Sequence, residues 1–325
     1  MALHRCALDD GNSRLAKLGA SRKTFGETRL PILRAPILFS CCAAVASRRR
    51  RAHVWSEPII EFFAVPVPTS INYGEVASAY DNSRCVEPGV AIALVEGLRS
   101  LGARSVLEIG AGSGNYTASL AASGFSVTAL DRSPAMVGIG AQKTSARWIL
   151  SDASALPLRT RSVDAIAGIN VLHHLPALPA ALAEFRRVAR AGAVLQAVVR
   201  ENLETLWYRH YFPEIDDVLL PLHPTLGGLI TAMFQAGFRR VAAAKIFYSG
   251  RADLAFEAAR TRPHLLFDPG FRAATSGFRR LESAAIARGL AELERDLLSD
   301  AFARIAAPFD AAHSDTADCV VITAR

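Results

Sequence analysis

The chain has only five cysteines, Cys6, Cys41, Cys42, Cys85 and Cys319, an odd number with no C-x-x-C spacing. That pattern argues against a disulfide framework and against a thiolate zinc site, and it fits a reducing compartment. No metal ligand set is expected. Long apolar runs are missing too. The longest, residues 37–46, is about half of the roughly 20 residues that a membrane-spanning helix needs, so no span is expected. Acidic residues are scarce at one end only. Residues 1–52 carry eleven Arg and Lys against Asp9, Asp10 and Glu27, a net of +8, and subtraction from the totals of 37 and 30 leaves 26 basic and 27 acidic residues in 53–325, a net of −1. The overall charge of +7 therefore belongs to the tail. A neutral body lacks the Lys and Arg surplus that backbone contacts to nucleic acid require, so no nucleic acid is expected as partner.

Residues 1–69 are arginine-rich and broken by Pro31, Pro36, Pro58, Pro66 and Pro68, with Arg48-Arg49-Arg50-Arg51 as the sharpest feature. Most of this segment is expected to be a disordered basic tail. A cytoplasmic protein with a solvated tail is the plainer reading, and an organellar transit peptide shares the Arg- and Ser-rich, acid-poor composition. Beyond it, a hydrophobic fraction of 51% suffices for a sizeable core, and no internal repeat stands out.

The stretch that organises the body is Val106-Leu107-Glu108-Ile109-Gly110-Ala111-Gly112-Ser113-Gly114-Asn115. An apolar run ending near an acid, then closely spaced glycines, predicts a buried strand turning sharply into a helix. Glycines at Gly110, Gly112 and Gly114 let the backbone approach a ligand, and the helix N-terminus aims free N–H groups at the same place. A dinucleotide site wants G-x-G-x-x-G, but Asn115 stands where its third glycine would fall, which disfavours a nicotinamide cofactor. Further on, 125–130 alternates as a second strand ending in Asp131. That is about 20 residues past the glycines, where a carboxylate at a strand end can accept from both ribose hydroxyls.

The run E-x-G-x-G-x-G resembles motif I of class I S-adenosylmethionine-dependent methyltransferases. The span from about 105 to 200 resembles the type 11, ubiquinone/menaquinone-biosynthesis-like family: the glycine turn, then Asp131, then Asp152-Ala153, then Val171-Leu172-His173-His174-Leu175 after a fourth strand. The resemblance implies a Rossmann-like α/β fold: a seven-stranded, mostly parallel sheet with helices on both faces, an antiparallel last strand and a helical insertion before it. It implies S-adenosylmethionine as cofactor, held by Glu108, Gly110, Ala111, Gly112, Gly114, Asp131, Arg132, Asp152, Ala153 and Asn170. Tyr80 and Arg84 come from a lead-in that in this family folds over the cofactor. The alternative for Asp152 is a carboxylate that caps its own turn.

Asn170, His173 and His174 follow the fourth strand's carboxyl end, where ligands of open α/β sheets bind. His173, and after it His174, is the candidate general base, although methyl transfer from an activated sulfonium needs proximity more than proton transfer. Tyr73 and the aromatic group Trp207, His210 and Tyr211 are candidates for the acceptor pocket. The domain expected is 70–248 plus 318–325, and 249–317 is expected as a helical insertion, either a substrate cap or a homodimer contact. Together these imply methyl transfer to a small, fairly apolar molecule. The alternative is a non-catalytic, cofactor-binding protein of the same fold.

Overall fold

A computed structural model describes residues 60–62, 85–248, 256–275 and 277–325. The rest of the basic tail lies outside the described residues. Eight strands form one sheet: β1 (Ile60–Phe62), β2 (Ser105–Ile109), β3 (Ser126–Asp131), β4 (Arg147–Leu150), β5 (Val163–Ile169), β6 (Ala189–Ala197), β7 (Val241–Ile246) and β8 (Cys319–Ala324). Their order is β1-β4-β3-β2-β5-β6-β8-β7. Only β8 runs antiparallel to both of its neighbours, and every other pairing is parallel. The expected seven-stranded sheet is present, extended at one edge by the three-residue β1. Strand order reverses between β2 and β5, which are paired directly, with Ile109 opposite Gly168. A crevice at the carboxyl ends of those two strands is where such a sheet binds ligands.

Period-two alternation places the core on both faces. Val106 packs with α1 (Pro88–Ser100), through Val90, Leu94 and Leu98, while Leu107 packs on the opposite face with Leu182 and Phe185 of α4 (Leu178–Val188). The first helix starts as its sequence predicts, on Pro88 after Glu87. Between them, α2 (Asn115–Ala122) follows β2, and α3 (Pro134–Lys143) follows β3. Ser133 caps α3 by accepting from the Met136 N–H, with Pro134 in its first turn.

The body continues through α5 (Arg200–Leu203), α6 (Ile215–Leu219) and α7 (Leu226–Gln235). Between β7 and β8 the described chain is helical: 3-10 turns at Phe256–Arg260, Pro263–Phe267 and Phe278–Arg280, then α8 (Pro269–Ala274), α9 (Ser283–Leu297) and α10 (Ala301–Thr316). The apolar positions from 278 to 303 predict one helix, but the chain breaks after Leu298 and starts again at Ala301. This insertion docks on aromatic side chains. Trp207 stands edge-on to Phe302 at 4.9 Å between ring centroids, and Phe212 stands edge-on to Phe278 at 5.1 Å.

Gly289 makes that docking possible. A glycine in mid-helix ordinarily costs about 1 kcal/mol relative to alanine. Here a Cβ would lie 2.3 Å from Phe212 Cε1 and 2.5 Å from the Tyr211 carbonyl oxygen, which is backbone and cannot step aside. Gly289→Ala is therefore expected to lower stability by about 1–3 kcal/mol despite the gain in helix propensity. Urea unfolding would check it, and a stabilised variant would refute it.

Candidate functional site

At the switch point the backbone turns out of β2 through three left-handed glycines, Gly110 (φ +64°), Gly112 (φ +56°) and Gly114 (φ +84°). Their jobs differ. A Cβ on Gly112 would meet nothing within 4 Å, so this is the position where the turn lies open to a ligand. A Cβ on Gly110 would fall 2.4 Å from Val171 Cγ2, which makes it a close approach of β2 to the β5 end. Gly114 lies against Trp148 and Gly140 and is absent from the linings of both neighbouring clefts. Its physical role is to let α2 and α3 close on the buried Trp148 ring.

Asp131 ends β3 and fastens the turn. Its Oδ2 accepts from the Gly112 N–H at 2.8 Å and its Oδ1 from the Ser133 N–H at 2.8 Å. Burial pushes the carboxyl up from its ordinary value, and those two N–H groups with the nearby Arg132 charge pull it back. Glu108, only 2% exposed, accepts from the Thr117 hydroxyl at 2.6 Å. Burial raises its pKa from 4.5 to about 8, against the Thr117 hydrogen bond and with the help of the Asp131 charge.

Two clefts meet at this turn. One encloses about 710 Å³ including space open to solvent, and among its walls are Gly112, Asp131, Arg132, Asp152, Asn170 and His174. The other, about 490 Å³, is lined by Glu108, Ala111, Tyr116 and Cys85. Gly110, Gly112, Ile169 and Asn170 belong to both, so the glycine turn and the end of β5 form the ridge between them. Asp152 caps its own turn, its Oδ1 accepting from the Ser154 N–H at 2.7 Å, and it lines the larger cleft as well, with Ala153. Among the described residues no group of three or more His, Cys, Asp or Glu is placed to hold a metal ion.

Of the two histidines, His174 lines the cleft. The His173 ring lies against those of His174 (4.0 Å between centroids) and His223 (4.4 Å, stacked). Burial lowers the His174 pKa to about 4, and the charges of Arg132, His223, Arg280 and Arg279 lower it further in that order. It is neutral at pH 7.

The aromatic group stands apart from both clefts. Trp207 and Tyr211 are fully buried and line neither cleft, because they form the anchor of the helical insertion. The Trp207 indole N–H donates to the Arg260 carbonyl at 3.0 Å, and the Tyr211 hydroxyl donates to Asp296 at 3.3 Å. His210 is exposed and edge-on to Tyr211. Tyr73, Tyr80 and Arg84 lie outside the described residues. Sequence reasoning missed Met136, Ser151, Val171 and Leu175, all cleft-lining. These are ordinary apolar and small residues, and only their position beside the motifs could have pointed to them.

Residues 107–197 match the family model of a methyltransferase domain. The bifunctional biotin-biosynthesis protein of Cellvibrio japonicus is 26% identical over 256 residues, 72% of this chain and 50% of that protein. The malonyl-[acyl-carrier protein] O-methyltransferase of Serratia marcescens is 31% identical over 124 residues, 38% of this chain and 49% of the relative. The chain thus spans about half the length of both. A solved structure from Anabaena variabilis, described as a methyltransferase of an antibiotic biosynthesis pathway, is 26% identical with a TM-score of 0.63, covering 74% of this chain and 99% of that one. Among the described residues no helix is long and apolar enough to cross a membrane.

Proposed function

We propose, for a chain whose residues 107–197 belong to the methyltransferase-domain family, that it transfers the methyl group of S-adenosylmethionine to a small, fairly apolar acceptor. The observation that carries this reading is the left-handed glycine turn fastened to Asp131 at the point where the strand order reverses. The residues there suit the cofactor: an open Gly112, a carboxylate with lone pairs left over for ribose hydroxyls, Asp152 and Ala153 for the adenine, and Glu108 with Ala111 on the amino-acid side. When bound, the cofactor supplies a methyl group already activated on a sulfonium. The chain's own residues then hold the acceptor in line and keep water out, and orientation of this kind can supply about 7–11 kcal/mol of barrier reduction. Ile109, Leu130, Ile169, Val171 and Leu175 give the larger cleft apolar walls beside those polar groups, which suits the flat faces of an adenine ring.

His174 plays a minor part in this reading. A base with a pKa near 4 is a weak proton acceptor at neutral pH. His174→Gln is therefore expected to lower kcat by less than about tenfold across pH 6–9. A loss above a hundredfold would instead make it the general base. Calorimetric titration with S-adenosylmethionine and its demethylated product tests the whole proposal, and absence of binding at about 1 mM would end it. Binding without turnover of any acceptor, read by transfer of a labelled methyl group, would favour a regulatory cofactor-binding protein.

A further inference from the structure

The cleft residue Asn170 has φ +50°, a left-handed backbone that few side chains adopt readily, with asparagine among those that do. What fixes it there is a side chain from the next strand. The Asn170 N–H donates to Gln196 Oε1 at 2.8 Å. Gln196 sits in β6, opposite Ile169 of β5, is 0% exposed and interrupts the apolar stretch that runs from Ala193 to Ala197. A buried polar residue in such a run needs a reason, since its desolvation is unfavourable unless its hydrogen bonds are made. Only half of this amide is satisfied. Among the described residues Nε2 has no partner, and the side-chain hydrogen bond Gln196 makes there is the one to Asn170.

We propose that Gln196 is a positioning residue for the cofactor: it holds Asn170 in the left-handed conformation that turns this residue onto the ridge shared by both clefts. The inference rests on the methyltransferase reading of that site and adds to it a residue that touches neither cleft. Without the Oε1 acceptor the part-buried Asn170 N–H loses its partner, the residue relaxes toward negative φ, and the ridge must be rebuilt each time a ligand binds.

Gln196→Leu, apolar and of similar size, removes the acceptor. Its S-adenosylmethionine dissociation constant is expected to rise on the order of tenfold. Gln196→Glu keeps an oxygen in place of Oε1, and at pH 5, where burial favours its protonated carboxyl, its affinity should stay within about threefold of wild type. Asn170→Gly takes positive φ freely but loses the side chain, and in that background Gln196→Leu should cause no further loss. A purely structural glutamine would give the opposite pattern, with the leucine variant adding its full loss to Asn170→Gly. Should leucine prevent folding, Gln196→Met carries the same test. If wild type binds and Gln196→Leu binds equally well, the positioning role is overturned alone. If wild type does not bind S-adenosylmethionine at all, the functional reading falls and this inference with it.

Discussion

Replacing Asp131 by alanine is expected to weaken S-adenosylmethionine binding by about a hundredfold or more. The carboxylate already accepts one N–H at each oxygen, from Gly112 and Ser133, which fixes its orientation at the cleft wall. Each oxygen has a further lone pair, enough to accept from a ribose diol. Two hydrogen bonds to a charged acceptor contribute about 1.5–3 kcal/mol apiece, and 1.4 kcal/mol is a factor of ten in affinity. The variant also frees the Gly112 N–H, so the turn loses its side-chain tie to β3 and keeps the backbone bond from the Ala111 N–H to the Leu130 carbonyl. Asp131→Asn retains one acceptor oxygen and should fall between the two in calorimetry. A dissociation constant within threefold of wild type for Asp131→Ala would mean that the sugar is held elsewhere.

The second large effect concerns stability against pH. Glu108 is titrated upward by burial from 4.5 to about 8, so over that interval the folded protein keeps a proton that the unfolded chain has lost. The sign follows directly: stability from this group is fully present below about 4.5, and it is lost as pH rises through about 8. A shift of this size is worth on the order of 5 kcal/mol at about 1.4 kcal/mol per unit. Gln at this position copies the neutral carboxyl at every pH. Glu108→Gln and wild type should therefore unfold at similar denaturant concentrations near pH 5, and the variant should be the more stable by several kcal/mol at pH 9. A difference that does not change with pH would show that Glu108 titrates normally in the folded protein.

The sequence carried the central sheet well, because β2, β3 and β5 are short apolar runs closed by a glycine, an acid and an asparagine, and such punctuation has a local cause. The place of Asp131 beside the turn was legible for the same reason, since spacing along two adjacent parallel strands puts the end of one beside the start of the other's loop, but its hydrogen bond to the Gly112 N–H was not. Where contacts come from distant segments, the sequence was silent. Trp207 and Tyr211 look like pocket aromatics in isolation, and only the insertion that arrives some fifty to ninety residues later decides that they are buried. Gly114 shows a different limit. Its motif places it correctly in the turn, yet whether such a glycine meets a ligand or an indole depends on Trp148, one strand away. Gln196 had a signal that went unused, a lone amide in the apolar stretch Ala193-Val194-Leu195-Gln196-Ala197-Val198.

The position of β8 between β6 and β7 has a consequence for synthesis. Its residues leave the ribosome roughly seventy positions after β7, a delay of about 4–14 s at 5–20 residues per second, and in that time β7 has no strand to join. An orphan strand of this kind is a template for mispairing with other nascent chains. Its make-up counters that hazard: Ala242, Ala243 and Ala244 are weak strand formers, and Lys245 adds a charge, so β7 has little drive to pair before its proper neighbour emerges.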